Sequence, residues 1–122
     1  VDEQDIIIKS KGNQKRTFCY ISDFIVGLLI VLLKGKNGEA YNLANNKEYY
    51  SISKFANLLS KFTKNKNVIF KSRSIKDNYL ISPFNKVYPS INKIKKLGFE
   101  PKIDIKNGCK KTIDYYKNLK SN

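Results

Sequence analysis

The side chains of this sequence that could contact a ligand are mostly cationic. Arg16 follows Gln14 and Lys15 in a polar stretch that leads into an apolar segment. A guanidinium at this point could hold a phosphate through two parallel hydrogen bonds, and a solvated basic cluster is the alternative. Lys86 could supply a second cationic contact or could be one of many surface lysines.

Four further side chains could serve either a ligand or the fold. Tyr79 and Phe84 could stack on a nucleobase or another ring, or could anchor a loop by packing. Asn42 could fix a ligand hydroxyl or could satisfy a backbone group. Asp23 stands where a helix is predicted to begin, and the preference of a helix N-terminus for negative charge explains it.

Several kinds of chemistry are excluded by the residues that the chain lacks. It contains no histidine, and its two cysteines, Cys19 and Cys109, lie far apart in the sequence. Histidine-based acid–base catalysis, zinc binding and a C-x-x-C site are therefore not expected. Neither G-x-G-x-x-G nor G-x-x-x-x-G-K-[ST] occurs. The sequence predicts a binding function rather than a complete active site.

Length and composition indicate one globular unit. The chain has 122 residues, of which 41% are apolar, enough for a core of its own. The longest apolar stretch, residues 24–33, is shorter than the roughly 20 residues that cross a bilayer, and the N-terminus is acidic rather than signal-like. With only two cysteines, we expect a cytoplasmic protein. The absence of methionine fits a piece of a longer protein.

The net charge of +14 raises the possibility of a nucleic-acid partner. Only Arg16 and Arg73 are arginines, however, and the remaining basic residues are lysines. Specific phosphate recognition favours arginine, and abundant lysine, asparagine and isoleucine indicate A/T-rich codons. This pattern disfavours nucleic acid, and a small basic nucleic-acid-binding module is kept as the alternative.

The pattern of apolar residues predicts a mixed α/β fold with four helices and three or four short strands. The predicted strands cover residues 6–8, 17–21, 39–43 and 67–71. The helices are predicted at 24–33 with Ser22 and Asp23 as caps, after the N-cap Ser51, from Pro89 and Ser90 to Gly98, and after the cap Asp104. Residues 72–88 are predicted to form an irregular loop. The first helix is apolar nearly all round, so we expect it to be deeply buried.

Five segments, in this order along the chain, resemble those of one enzyme family. They read QKRTFCYISD (14–23), GEAYNLAN (38–45), SISKFA (51–56), KIKKLGFEP (93–101) and GCKKTIDYY (108–116). Their types and order resemble the extended short-chain dehydrogenase/reductases, which include the nucleotide-sugar epimerases, dehydratases and decarboxylases. The resemblance covers residues 6–118. Phe99 takes the place of a common tryptophan and is expected only to pack.

The resemblance implies that residues 1–122 form the C-terminal, substrate-binding domain of such an enzyme. In the family, the glycine fingerprint and the catalytic Tyr-x-x-x-Lys pair belong to an N-terminal Rossmann half, and no segment of this sequence resembles that half. The resemblance therefore implies that the parent enzyme is an isomerase or lyase that binds NAD or NADP. This chain alone is expected to bind neither cofactor and to be inactive. Its expected partners are a nucleotide-sugar and the Rossmann half, with no membrane.

The resemblance also assigns roles to individual residues. Arg16 matches the family arginine that contacts the nucleotide diphosphate. Lys86 stands where many relatives place a second arginine, keeping the charge but not the fork. Together with Asn42 and Tyr79, these residues are expected to bind a UDP-, dTDP-, CDP- or GDP-linked sugar.

Overall fold

The computed structural model describes residues 4–63, 66–71 and 84–120. Within these ranges the fold is mixed α/β with four helices and four short strands, which confirms the predicted class. The strands are β1 (Ile6–Ile8), β2 (Lys15–Thr17), β3 (Tyr49–Ser51) and β4 (Val68–Phe70). The helices are α1 (Ile21–Lys34), α2 (Ile52–Phe62), α3 (Asn92–Lys95) and α4 (Ile105–Lys120).

The chain forms two compact units. The first unit comprises residues 1–16, 50–87 and 109–122, and the second comprises residues 17–49 and 88–108. The two sheets of the described residues are two-stranded, with β1 paired to β4 and β2 paired to β3.

A parallel strand pair and one helix form the centre of the first unit. In the pairing of β1 with β4, Ile7 lies opposite Ile69. Helix α2 packs against both strands and places Ala56 in the core. Ser51 caps α2 as the sequence predicts, because its side chain accepts a hydrogen bond from the Lys54 backbone N–H at 3.1 Å.

The core of the second unit consists of four buried residues: Ala44, Ile91, Ile94 and Phe99. Around Phe99 the chain turns in the predicted Schellman ending. The Phe99 N–H donates to the Ile94 carbonyl and the Gly98 N–H donates to the Lys95 carbonyl, while Gly98 has φ 99°. This φ is in the left-handed region, so glycine is the residue that the turn requires. The preceding helix is shorter than predicted, with one turn from Asn92 to Lys95.

The prediction that α1 is deeply buried is wrong. Asp23 and Gly27 are the residues of α1 that are buried, whereas Leu32 is 78% and Leu33 is 80% exposed. The helix contacts the core along one narrow side. The contact is close at Gly27, where an added side chain would collide with Leu43. No described residue covers its other faces, although they are apolar. No helix in the described ranges has the length and apolarity needed to cross a membrane.

The predicted strand at residues 39–43 is also not formed. No described strand pairs with this segment, and a strand without a ladder partner leaves its backbone groups unsatisfied. Side-chain hydrogen bonds hold the segment instead. The Lys93 Nζ donates to the Ala40 carbonyl at 2.9 Å, and the hydroxyl of Tyr41, within the segment, accepts from the Lys36 N–H at 3.0 Å. The strand predicted at 17–21 is only partly correct, because β2 covers Lys15–Thr17 and overlaps the prediction at Thr17 alone.

The interpretation of Asp23 as a helix cap is wrong as well. Helix α1 begins at Ile21 with Tyr20 as its N-cap. Asp23 lies in the first turn, and its Oδ2 accepts hydrogen bonds from the backbone N–H groups of Lys102 and Ile103 at 2.9 and 2.8 Å. Its carboxylate therefore holds a distant loop of the second unit. The predicted cap of α4 is confirmed, since Asp104 Oδ1 accepts from the Asn107 N–H at 2.7 Å.

Candidate functional site

Arg16 lies on β2 in the first unit, and its guanidinium contacts two backbone carbonyls. Nη1 donates to the Lys15 carbonyl at 2.7 Å, and Nη2 donates to the Phe84 carbonyl at 3.1 Å. Phe84 is 68 positions away in sequence. These two bonds fix the orientation of the guanidinium between β2 and residue 84. Arg16 itself is only partly exposed.

The segment that carries Lys86 runs beside β2. The Lys15 N–H donates to the Asn85 carbonyl at 2.8 Å, and the Lys15 carbonyl accepts from the Val87 N–H at 3.1 Å. These two bonds form a parallel bridge in which Lys15 lies opposite Lys86. The structure thus brings two residues predicted from the sequence, Arg16 and Lys86, onto neighbouring extended segments.

Three cationic residues are concentrated on these two short segments. Lys15 and Lys86 are exposed, and Arg16 bonds to the carbonyl of Phe84 close to both. Positive side chains gathered in one place attract polyanions from solution. The segment pair is therefore suited to bind a phosphate-bearing ligand.

The other residues predicted to contact a ligand lie outside the paired segments or outside the described residues, except for Phe84. Asn42 lies in the second unit, is exposed, and donates through Nδ2 to the Ser90 carbonyl at 3.1 Å. That bond agrees with the alternative in which Asn42 satisfies a backbone group. Contact of Asn42 with a ligand stays a prediction. Tyr79 lies outside the described residues, as does most of the predicted loop at 72–88. Phe84, at the described end of that loop, is 64% exposed.

A charged cluster in the second unit was not found by the sequence analysis. Lys93 Nζ lies 3.0 Å from Glu39 Oε2 and 4.5 Å from the centre of the Tyr41 ring. The hydrogen bond from Lys93 is the main cause that lowers the pKa of Glu39. The sequence signal is weak, because the partners are distant in the chain. The cluster ties residues 39–41 to Lys93 and has the character of a structural contact.

The two thiols are suited to packing rather than to nucleophilic chemistry. Cys19 and Cys109 are free and partly buried. Burial raises the pKa of both thiols, and the charge of Asp23 raises the pKa of Cys19 further. A thiol with a raised pKa carries little thiolate at neutral pH and is a poor nucleophile. No cluster of metal-ligating side chains occurs among the residues that the structure describes.

Comparison with solved structures identifies the class of fold. The chain is similar to UDP-glucuronic acid 4-epimerase from Bacillus cereus in complex with UDP-glucuronic acid and NAD, with a TM-score of 0.77 and 27% identity over 96% of this chain and 36% of that one. It also shares its fold with UDP-glucose 4-epimerase from Thermotoga maritima, with a TM-score of 0.79 and 24% identity over 96% of this chain and 36% of that one.

Sequence comparison leads to the same family. Residues 1–44 match the profile of the NAD dependent epimerase/dehydratase family. The human dTDP-D-glucose 4,6-dehydratase is 38% identical over 112 residues, which are 90% of this chain and 32% of that protein. The mouse dTDP-D-glucose 4,6-dehydratase is 36% identical over the same length, 90% of this chain and 31% of that protein. The resemblance to the extended short-chain dehydrogenase/reductases is confirmed, and the chain spans about a third of the length of these relatives.

The described residues do not fit a dinucleotide cofactor. Such a site needs a strand, a glycine-rich turn and a helix whose N-terminus faces the pyrophosphate. Here β1 is followed by a turn at Gly12, with φ 67°, and then by β2 instead of a helix. The Gly12 carbonyl accepts from the Ser53 N–H at 2.9 Å, so this turn is bound to α2.

Proposed function

We propose that this chain is the nucleotide-sugar-binding, C-terminal domain of an NAD(P)-dependent epimerase or dehydratase. Its role is to hold the nucleotide diphosphate so that the sugar reaches a catalytic site carried by a Rossmann half. The observation that carries the proposal is the placement of Arg16 and Lys86 on two hydrogen-bonded segments. The relatives' names support it, because they concern UDP- and dTDP-linked sugars.

The chemistry of the segment pair suits a diphosphate. A guanidinium presents several donors in a fixed plane and can bind phosphate oxygens through two of them. Lys86 adds a mobile point charge that adapts to the second phosphate. Asn42 and Tyr79 are proposed to contact the rest of a UDP-, dTDP-, CDP- or GDP-linked sugar. NAD or NADP is assigned to the Rossmann half and not to this chain.

The exposed face of α1 supports the proposed partnership with a Rossmann half. Its large apolar residues with more than a third of their surface exposed are Ile21, Phe24, Ile25, Val26, Leu28, Leu29, Leu32 and Leu33. Contiguous apolar surface of this kind is typical of a surface that another part of a protein covers. We propose that this surface is covered by a part of the protein that corresponds to the two thirds of the relatives' length that this chain does not match. In this setting the whole protein would act in the cytoplasm as an isomerase or lyase.

The proposal is tested by calorimetric titration of the 122-residue chain with UDP-glucose and dTDP-glucose. Arg16→Ala removes a charge-assisted contact worth about 1.5–3 kcal/mol, which is roughly a 10- to 150-fold loss of affinity. Lys86→Ala is expected to lose about twofold to fivefold, because its side chain is exposed and screened. Lys61→Ala removes an exposed lysine of α2 and serves as the matched control.

The fold of each variant is checked by circular dichroism. Equal affinities of Arg16→Ala, Lys61→Ala and the unmodified chain would contradict the assignment of Arg16. Absence of saturable binding of either nucleotide-sugar would contradict the proposed function as a whole. Binding of single-stranded oligonucleotides with a steep dependence on salt would favour the nucleic-acid alternative.

A further inference from the structure

We infer that the ring of Tyr88 stacks on the base of the nucleotide, an inference that rests on the proposed function and adds a residue to it. Tyr88 belongs to the second unit and is 57% exposed. It follows Lys86 by two positions, so the chain itself keeps the two Cα atoms within about 7 Å of each other. An accessible aromatic ring thus comes shortly after the proposed phosphate contact along the chain.

Two contacts fix the orientation of this ring although it is exposed. It meets the ring of Tyr49 in a T-shaped arrangement, with 5.2 Å between the ring centres and an interplanar angle of 82°. Its hydroxyl donates to the Asn46 carbonyl in a long hydrogen bond of 3.4 Å. Aromatic pairs prefer the T-shaped arrangement, so the ring of Tyr88 has a preferred position without a ligand.

The backbone around Tyr88 is held as well. Because Pro89 follows, Tyr88 is restricted to extended conformations. The side chain of Asn46 donates through Nδ2 to the Pro89 carbonyl at 3.1 Å, so the residue that receives the Tyr88 hydroxyl also binds the next residue of the chain. Ring and backbone are therefore both oriented before a ligand arrives.

An exposed ring that is already oriented is suited to stacking. In a T-shaped pair the edge of one ring meets the face of the other, so Tyr49 can occupy at most one face of Tyr88. A base that stacks on the other face loses little free energy to the ordering of the side chain. Every base presents a π-face, so we expect Tyr88 to strengthen the binding of nucleotides without selecting between uracil and thymine.

Tyr88→Leu tests the inference, because it removes the ring and retains an apolar side chain. In calorimetric titrations of the 122-residue chain, we expect this variant to lose about fivefold or more in affinity for UDP and for dTDP. Tyr88→Phe keeps the ring and is expected to bind both within about twofold of the unmodified chain. Tyr115→Leu is the matched control, since Tyr115 is 60% exposed and forms a T-shaped pair with Tyr116 at 5.5 Å.

The proton resonances of the base report the stacking directly. Protons above the face of an aromatic ring move upfield, so H5 and H6 of uracil in UDP should shift upfield at saturation with the unmodified chain, Tyr88→Phe and Tyr115→Leu. The shift should be lost in Tyr88→Leu. A tyrosine that only supports the fold would weaken binding in Tyr88→Leu without changing the shift at saturation. Circular dichroism checks the fold of each variant.

The inference is overturned if Tyr88→Leu binds UDP within about twofold of Tyr115→Leu, or if the upfield shift persists in Tyr88→Leu. It is also overturned if the unmodified chain binds UDP without an upfield shift of H5 and H6, a result that does not depend on the folding of any variant.

The two proposals fail in different ways. If Arg16→Ala weakens UDP binding and Tyr88→Leu binds as Tyr115→Leu does, the stacking is overturned and the proposed function stands. If Tyr88→Leu loses affinity and the upfield shift while Arg16→Ala binds as the unmodified chain does, the stacking is supported and the assignment of Arg16 is wrong. If the unmodified chain binds neither UDP nor dTDP, both proposals are overturned.

Discussion

Asp23 provides the sharpest test of how the second unit is held together. Its carboxylate is buried, with 8% of the residue exposed, and one of its oxygens accepts the backbone N–H groups of Lys102 and Ile103. These residues lie 79 and 80 positions further along the chain. The aspartate thus joins α1 to the turn that precedes α4.

The cost of Asp23→Ala follows from the two donors that lose their acceptor. A buried donor left without a partner costs about 1–3 kcal/mol, and both N–H groups are only partly buried. We therefore expect the free energy of unfolding to fall by about 2–4 kcal/mol. Asp23→Asn keeps one oxygen in place but loses the charge, so about half of that loss is expected.

Urea unfolding followed by circular dichroism measures both variants. Asp114→Ala removes an exposed carboxylate of α4 and is the control, with an expected change within about 0.5 kcal/mol. A loss in Asp23→Ala no larger than that of Asp114→Ala would refute the argument. The carboxylate would then contribute nothing as an acceptor in the second unit.

Three further predictions concern single groups. The pKa of Glu39, measured by carbon NMR, should lie below its usual value and return toward it in Lys93→Ala, because Lys93 supplies the main hydrogen bond. The contact between Lys93 and Glu39 makes a small contribution to stability, which is present above the usual pKa of glutamate and is lost as pH falls through the lowered pKa. Cys19 and Cys109 should react with a thiol reagent at pH 8 more slowly than free cysteine does, since burial raises the pKa of both; equal rates would contradict this. Gly98→Ala should lower stability by about 1 kcal/mol in urea unfolding, because φ is 99°, and an unchanged midpoint would show that the turn tolerates a side chain.

Local signals in the sequence were sufficient where a short segment determines its own structure. Helix α2 begins after Ser51 as expected, since the cap and the apolar stripe are both encoded within a few residues. Gly98 marks the end of the third helix for the same reason. The strands at Ile6–Ile8 and Val68–Phe70 were located as well, because β-branched and aromatic runs favour extended structure.

Predictions that depend on distant partners were less successful. Burial of α1 was inferred from its apolarity, but apolarity indicates only that a helix needs cover, and the described residues do not provide it. The segment 39–43 has the composition of a strand, yet a strand also requires a neighbour to complete its ladder. Strand β3, at Tyr49–Ser51, was missed because three residues beside a helix cap carry almost no periodic signal.

The roles of the candidate site residues stay predictions. Arg16 and Lys86 were assigned to a ligand from a family resemblance, and the structure shows only that they lie on paired segments. Sequence alone could not give the register of that pairing, which makes Lys15 the neighbour of Lys86. Nor could it give the bond from Arg16 to the Phe84 carbonyl, since that contact spans most of the chain.

The most direct test of the central claim is an NMR titration of the 122-residue chain with dTDP-glucose and UDP-glucose. The account predicts saturable shifts of the backbone amides of residues 15–16 and 84–87, with small changes along α2 around Lys61. These shifts should be strongly reduced in Arg16→Ala. Shifts confined to other parts of the chain, or no saturable shifts with either nucleotide-sugar, would contradict the claim that this segment pair holds the nucleotide diphosphate.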